Sequence, residues 1–292
     1  MSRIIAQRIG ARPGPTLIVV GGVHGNEPAG VAAAAQVVRD LDVAGEVIAL
    51  RGNVRALAAR RRYLATDLNR LWHADAIAAA RRGPASDEHA ELVELAAAID
   101  AAIARARGSV FALDLHTTSA AGVPFAVVGA TAAHRAFARD MPLPGIVGLE
   151  EQLPGVLTRY LSELGCITLA IEGGQSESPE TLANLCAVIR VALVASGVVT
   201  GLPEYAAACA LLARARGDLP PMIEVVSRRA IAPDDGFQME PGFANIQRTR
   251  GGTLLARDAR SEIRAPFDGL VLLPLYQAQG SDGFFYGRAL DD

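Results

Sequence analysis

Short apolar runs alternate with longer helical stretches along this chain up to about Gly201. Leu17–Gly22, Glu46–Leu50, Phe111–Leu115, Pro124–Val128 and Ile167–Ile171 read as strands, being brief and rich in β-branched and aliphatic residues. Ala29–Leu41, Glu88–Arg107, Gly155–Leu164 and Glu180–Ser196 read as helices, several of them alanine-rich. Pro28 stands where an opening helix tolerates it. Such alternation predicts an α/β class, with a largely parallel or mixed sheet flanked by helices. The pattern changes after a last helix expected over Tyr205–Arg216. Pro220-Pro221 breaks it. The segments Ile223–Ser227, Gly236–Met239, Gly252–Leu255, Glu262–Ala265 and Gly269–Leu273 then read as a small all-β module. The expected organisation is one domain over 1–218 and a second, smaller one over 219–292.

With 292 residues the chain can bury a full core. A formal charge of -3 gives no case for nucleic acid or an anionic membrane as the main partner. No lysine occurs, so P-loop, Schiff-base and lysine-tethered cofactor chemistry are excluded. Cys166, Cys186 and Cys209 are odd in number and show no CxxC spacing, which fits reduced thiols in a cytoplasm. The N-terminal Met1-Ser-Arg-Ile-Ile has no signal-peptide apolar core, and a cytoplasmic location is expected.

Candidate chemistry gathers where strands give way to helices. His24 and Glu27 follow the first long apolar run, at the edge where open α/β sheets bind ligands. His116 ends another apolar run and can complete a His₂Glu set, leaving one position of a divalent metal for water. Either histidine alone reads more simply as a hydrogen-bonded turn or core residue. Asp67 can accept the free ring N–H of His24 and so fix its tautomer. In Asp67-Leu68-Asn69-Arg70 the guanidinium offers a planar fork for a carboxylate, with Asn69 adding donors and an acceptor. A solvated loop is the plainer alternative. Arg62, within a run of arginines, can polarise a substrate carbonyl. Glu172 closes a third apolar strand ahead of two glycines and can act as a base beside an activated water, or else cap a helix.

Together these motifs resemble the succinylglutamate desuccinylase/aspartoacylase family, within the zinc carboxypeptidase-like fold. Gly21-Gly22-Val23-His24-Gly25-Asn26-Glu27 and Asp114-Leu115-His116-Thr117-Thr118 lie close to the family pattern, as do Asp67-x-Asn69-Arg70 and Glu172-Gly173-Gly174. Ile263-Arg-Ala-Pro-Phe-Asp-Gly269 resembles the family's barrel-like C-terminal β domain. The resemblance implies one Zn²⁺ per chain on His24, Glu27 and His116. It implies Arg62 as carbonyl polariser, Asn69 and Arg70 as a carboxylate clamp, and Glu172 as general base. The implied activity is deacylation of a small N-acyl amino acid or related amide. An ester or carboxypeptidase-type hydrolase using the same site, or a non-catalytic metal-dependent binding protein, are the alternatives. The β module would narrow access to the site, and a homo-oligomer is compatible with the resemblance. Zinc is favoured by the His₂Glu set, although other divalent ions bind such ligands.

The chain departs from aspartoacylases before Glu172. There a further Tyr and Arg grip a second carboxylate, whereas Leu157-Thr-Arg159-Tyr160-Leu-Ser-Glu163 does not match cleanly. The preceding Glu150-Glu151 would instead favour a cationic arm on the substrate. Tyr286, and behind it Tyr276, are candidate aromatics reaching the site from the β module, with packing inside that module as the other reading.

Overall fold

The computed structural model describes residues 1–277 and 280–290. In chain order the elements begin β1 (Ile4–Ile9), β2 (Thr16–Gly21), α1 (Ala29–Val37), β3 (Glu46–Arg51), α2 (Val54–Ala59), α3 (Ala74–Arg82) and α4 (Asp87–Arg105). Next come β4 (Val110–Thr118), β5 (Phe125–Val128), α5 (Ala132–Arg139), β6 (Gly145–Val147), α6 (Leu157–Glu163), β7 (Ile167–Gln175), α7 (Pro179–Ala195) and α8 (Tyr205–Arg216). The C-terminal region is strand-rich: β8 (Met222–Ala230), β9 (Gln238–Met239), β10 (Gln247–Thr249), β11 (Leu254–Arg257), β12 (Glu262–Arg264), β13 (Gly269–Leu272) and β14 (Asp282–Ala289).

One mixed sheet runs in the order β1-β3-β2-β4-β7-β5-β6-β8-β14-β13-β10. Its centre is parallel, with β2 paired to β3 and β4, and β4 to β7. Two helical layers cover it, because side chains alternate along each strand. Leu17 and Val19 of β2 pack toward α1 and α7, whereas Ile18 and Val20 pack toward α4. The C-terminal strands join this sheet through parallel pairing of β6 with β8, and β9, β11 and β12 form a separate small sheet. The fold is therefore a mixed sheet flanked by helices with a smaller β region at its C-terminal end. Among the described residues no helix is long and apolar enough to cross a membrane.

Several boundaries differ from expectation for local reasons. The first helix stops at Val37 rather than Leu41, and the chain turns through Asp40 at φ 49°, a left-handed conformation that aspartate tolerates. β4 and β7 run past His116 and Glu172, because pairing continues to Thr118 and Gln175. These two side chains therefore stand within strands, not at their ends. β1 is an edge strand with mixed exposure, so its apolar alternation is weak.

Candidate active site

The loop after β2 sets the geometry. Gly25 lies so close to the middle of α2 that a Cβ there would sit 2.1 Å from the carbonyl carbon of Ala56. Its N–H donates to the Arg62 carbonyl at 3.1 Å. This close approach lays the loop bearing Arg62 beside His24 and Glu27. β4 then brings His116, whose register partner on β7 is Glu172.

His24, Glu27 and His116 are buried and offer ligand atoms that all lie within 4.8 Å of one another. The Glu27 carboxylate spans the two rings, with Oε1 3.0 Å from His24 Nδ1 and Oε2 3.1 Å from His116 Nδ1. Thr117 N–H also donates to Oε2 at 3.0 Å. Each histidine is backed by an aspartate on its outer nitrogen. His24 Nε2 is 3.1 Å from Asp67 Oδ1, and His116 Nε2 is 2.9 Å from Asp114 Oδ2.

That arrangement suits a metal ion. If both Nε2–H groups donate to aspartates, both Nδ1 lone pairs face the Glu27 carboxylate, and only a proton or a cation between them relieves the repulsion. Ligand atoms around tetrahedral zinc lie roughly 3.3 Å apart when its bonds are about 2.0–2.1 Å, close to the separations seen here. Backing a ligating histidine with a carboxylate is the usual way to orient the ring and raise its basicity. His24, Glu27 and His116 could therefore hold a metal ion.

The electrostatics agree. Burial disfavours charge on both imidazoles, and Arg62 adds to this at His24. The carboxylates outweigh these effects: Glu27 and Asp67 raise the pKa of His24, and Asp114 and Glu27 raise that of His116 well above the ordinary value. Burial would also raise Glu27 and Asp67, yet the imidazoles hold both below the usual carboxylate range, with Arg62 and Arg70 helping at Asp67. Without a metal the cluster thus binds protons where a cation would sit.

A cavity of about 170 Å³ opens beside the cluster, below the ~300 Å³ lower end of drug-sized sites. Glu172 lines it. Burial pushes its pKa up to about 7, opposed by His116 and assisted by Glu27, and its Oε2 has no hydrogen-bond partner. Arg62 also lines the cavity, with one guanidinium nitrogen 3.3 Å from Glu27 and another 3.4 Å from Asp67. Asn69 and Arg70 complete that side. Asn69 is engaged by the protein itself: its Oδ1 accepts from Leu157 N–H at 2.8 Å, and its amide nitrogen is 3.4 Å from His116 Nε2. Val156, at the N-cap of α6, makes no side-chain cap, so Asn69 satisfies the first amide of that helix from outside. Arg70 donates to the Asn69 carbonyl at 2.8 Å and lies 3.6 Å from Asp282.

The cavity lining thus brings together His24, Glu27, Arg62, Asp67, Asn69, Arg70, His116 and Glu172. Tyr286 is the exception and corrects the expectation that it reaches the site. It is fully buried in the C-terminal core with Val271 and Phe284, and its hydroxyl donates to the Phe267 carbonyl at 2.7 Å. Neighbouring positions on a strand face opposite sides, so Phe285 lines the cavity while Tyr286 does not. The Tyr276 hydroxyl donates to the Glu240 carbonyl at 2.6 Å, also outside the lining. Asp114 and Asp282 line the cavity without having been singled out as site residues, and Glu150, of the acidic pair Glu150-Glu151 set against a cationic substrate arm, lines it as well. The signal for Asp114 is its spacing of two from His116, which puts both on one face of β4.

Comparison with known proteins agrees with the motifs. Residues 13–190 match the model of the succinylglutamate desuccinylase/aspartoacylase catalytic domain. A succinylglutamate desuccinylase of Burkholderia thailandensis is 36% identical over 116 residues, 37% of this chain and 32% of that protein. One from Burkholderia cenocepacia is 38% identical over 116 residues. The match thus spans about a third of the length of these curated relatives. Among solved structures, a succinylglutamate desuccinylase/aspartoacylase from Rhodobacter sphaeroides superposes with a TM-score of 0.73 at 21% identity, covering 96% of this chain and 87% of the other. The product-bound ectoine utilization protein EutE (DoeB) of Ruegeria pomeroyi gives 0.71 at 21% identity over the same shares. These likenesses establish the shared fold, and the matched domain, covering more than half of the chain, establishes descent: this protein belongs to the succinylglutamate desuccinylase/aspartoacylase family.

Proposed function

We propose that the protein is a zinc-dependent hydrolase that deacylates a small N-acyl amino acid or related amide. The observation that carries this reading is the convergence of two aspartate-backed histidines and one glutamate beside a cavity that also holds Glu172. His24 Nδ1, His116 Nδ1 and the Glu27 carboxylate would hold the ion. When bound, zinc would supply Lewis acidity toward the amide carbonyl and toward water.

The chain's own residues do the rest. Glu172, poised near neutrality by burial, accepts the proton of the attacking water on its unpartnered Oε2 and returns it to the leaving amine. Arg62 donates to the carbonyl oxygen as negative charge develops there. Arg70, with the free amide hydrogen of Asn69, receives the substrate carboxylate. Asp67 and Asp114 hold the two rings in the tautomer that presents Nδ1. Residues 219–292 act as a unit that restricts access, since Leu273, Leu275 and Phe285 from that region line the cavity. The same reading puts the protein in a reducing cytoplasm, where Cys166, Cys186 and Cys209 stay free, as they are here.

The test is a hydrolysis screen of N-acetyl and N-succinyl amino acids, with matched esters, using zinc-replete protein. Amide turnover that is lost on chelation and restored by zinc is expected. Metal-independent turnover, or binding across the panel without hydrolysis, would overturn the reading.

A further inference from the structure

One cavity carboxylate besides Glu172 has no cation. Arg62 sits between Glu27 and Asp67, Asp114 faces His116, and Asp282 is shared by Arg228 and Arg70. Glu150, in a single helical turn after β6, is only 8% exposed yet lines the cavity. Among the described residues its side chain makes no ion pair, and its hydrogen-bond partner is Thr158 Oγ1, which donates to Oε1. Arg159, the nearest cation along the chain, is half exposed and pairs with Glu163 at 3.5 Å. The walls beside Glu150 are apolar, formed by Leu149, Leu153 and Val156. A carboxylate placed in such a wall loses hydration without compensation unless something else brings a positive charge. Burial accordingly pushes its pKa above the usual value.

The local hydrogen bonds place Glu150 relative to the carboxylate clamp. Asn69 Oδ1 holds Leu157 N–H, and the next residue, Thr158, holds Glu150. Glu150 and Asn69 of the proposed carboxylate clamp are therefore held by consecutive residues at the start of α6.

We propose that Glu150 is a specificity-determining residue that receives the ammonium terminus of the substrate's amino-acid side chain, so that the preferred substrates are N-acyl diamino acids. This rests on the deacylase reading above. With Asn69 and Arg70 on the α-carboxylate, an ammonium at the far end of the side chain replaces the cation that Glu150 lacks. A side-chain carboxylate, as in N-acyl aspartate or glutamate, would instead meet Glu150 with like charge, and among the described residues the lining holds no arginine besides Arg70 and Arg62, the latter already set between Glu27 and Asp67.

The experiment compares N-acetyl derivatives of 2,4-diaminobutyrate, ornithine, glutamine and glutamate, each acylated on the α-amine, with the zinc-loaded full chain. The expected order of kcat/KM is ammonium, then neutral amide, then carboxylate. Glu150→Gln keeps an acceptor for Thr158 and should cost about 10- to 100-fold on the ammonium substrates. It should change the glutamine derivative by less than about threefold. A purely structural role would lower all four together. Calorimetric binding of free diaminobutyrate and free glutamate to both proteins gives a readout without turnover. Preference for the glutamate derivative, or an unchanged ammonium-to-glutamine ratio in Glu150→Gln, overturns the subsite and leaves the deacylase reading standing. Ammonium-selective binding that is lost in the variant, with no hydrolysis of any derivative, supports the subsite and overturns the deacylase reading. If the variant does not fold, the wild-type preference order decides.

Discussion

Replacing Asp114 with asparagine tests how the histidines are held. Asp114 is 2% exposed and its Oδ2 lies 2.9 Å from His116 Nε2. The interaction is a charge-assisted hydrogen bond, whose loss costs about 1.5–3 kcal/mol. At about 1.4 kcal/mol per tenfold, zinc affinity should fall roughly 10- to 100-fold, the range seen for partners of metal-bound histidines. Asparagine can also donate to Nε2, which stabilises the tautomer with a proton on Nδ1 and removes the lone pair an ion needs. The pH dependence sharpens the test. Asp114 is the largest favourable contribution holding the His116 pKa well above its ordinary value, against the opposing effect of burial. Wild-type protein must therefore release this proton to bind metal at neutral pH, and its affinity rises with pH. In Asp114→Asn the folded pKa drops, so proton competition weakens. The affinity defect should be largest near pH 8 and should shrink toward about pH 6, below the ordinary histidine pKa of about 6.5. Zinc titration against a competing chelator at several pH values reads this directly. An affinity within about threefold of wild type at every pH would refute the argument.

Three further outcomes are expected. Glu172→Gln should lower kcat by about 10²- to 10⁴-fold with zinc binding retained; in wild type, activity should fall as pH drops through a midpoint at or below about 7, because the protonated carboxyl accepts nothing and a nearby cation pulls its pKa down. Tyr286→Phe should cost about 1 kcal/mol of stability by chemical denaturation, from the hydrogen bond to Phe267, and leave kcat/KM within about twofold of wild type; a large loss of activity in a fully stable variant would put that tyrosine in the site after all. Gly25→Ala drives a Cβ against the Ala56 backbone, so thermal melting and zinc titration should show lower stability together with metal affinity reduced at least about tenfold, and a variant normal in both would contradict the close-packing argument.

The parts of the site that could be read from sequence are those in which spacing and strand parity are local. His24 and Glu27 belong to one turn, and His116 closes a run of apolar residues that pairs in parallel with the strands on either side. Asp114 stands within that same run, where a buried acidic residue looks like a break in the pattern. Its meaning depends on facing His116, which periodicity allows but does not reveal. Asp282 lies on β14, a strand with glycine at two positions and outside the expected elements. The pairing of β14 with β8 shifts register between Asp282 and Phe284. Such bulges re-aim side chains, so counting along the strand does not tell which aromatic faces the cavity. The role of Asn69 in capping α6 joins residues distant in sequence and needed coordinates to be seen.

Metal stoichiometry tests the central claim most directly. Metal-stripped protein dialysed against zinc, then analysed for bound metal, should retain about one ion per chain. Substitution of His24, Glu27 or His116 by alanine should abolish that retention while the folded core persists. Wild-type protein that holds no zinc, or variants that hold as much as wild type, would contradict the account.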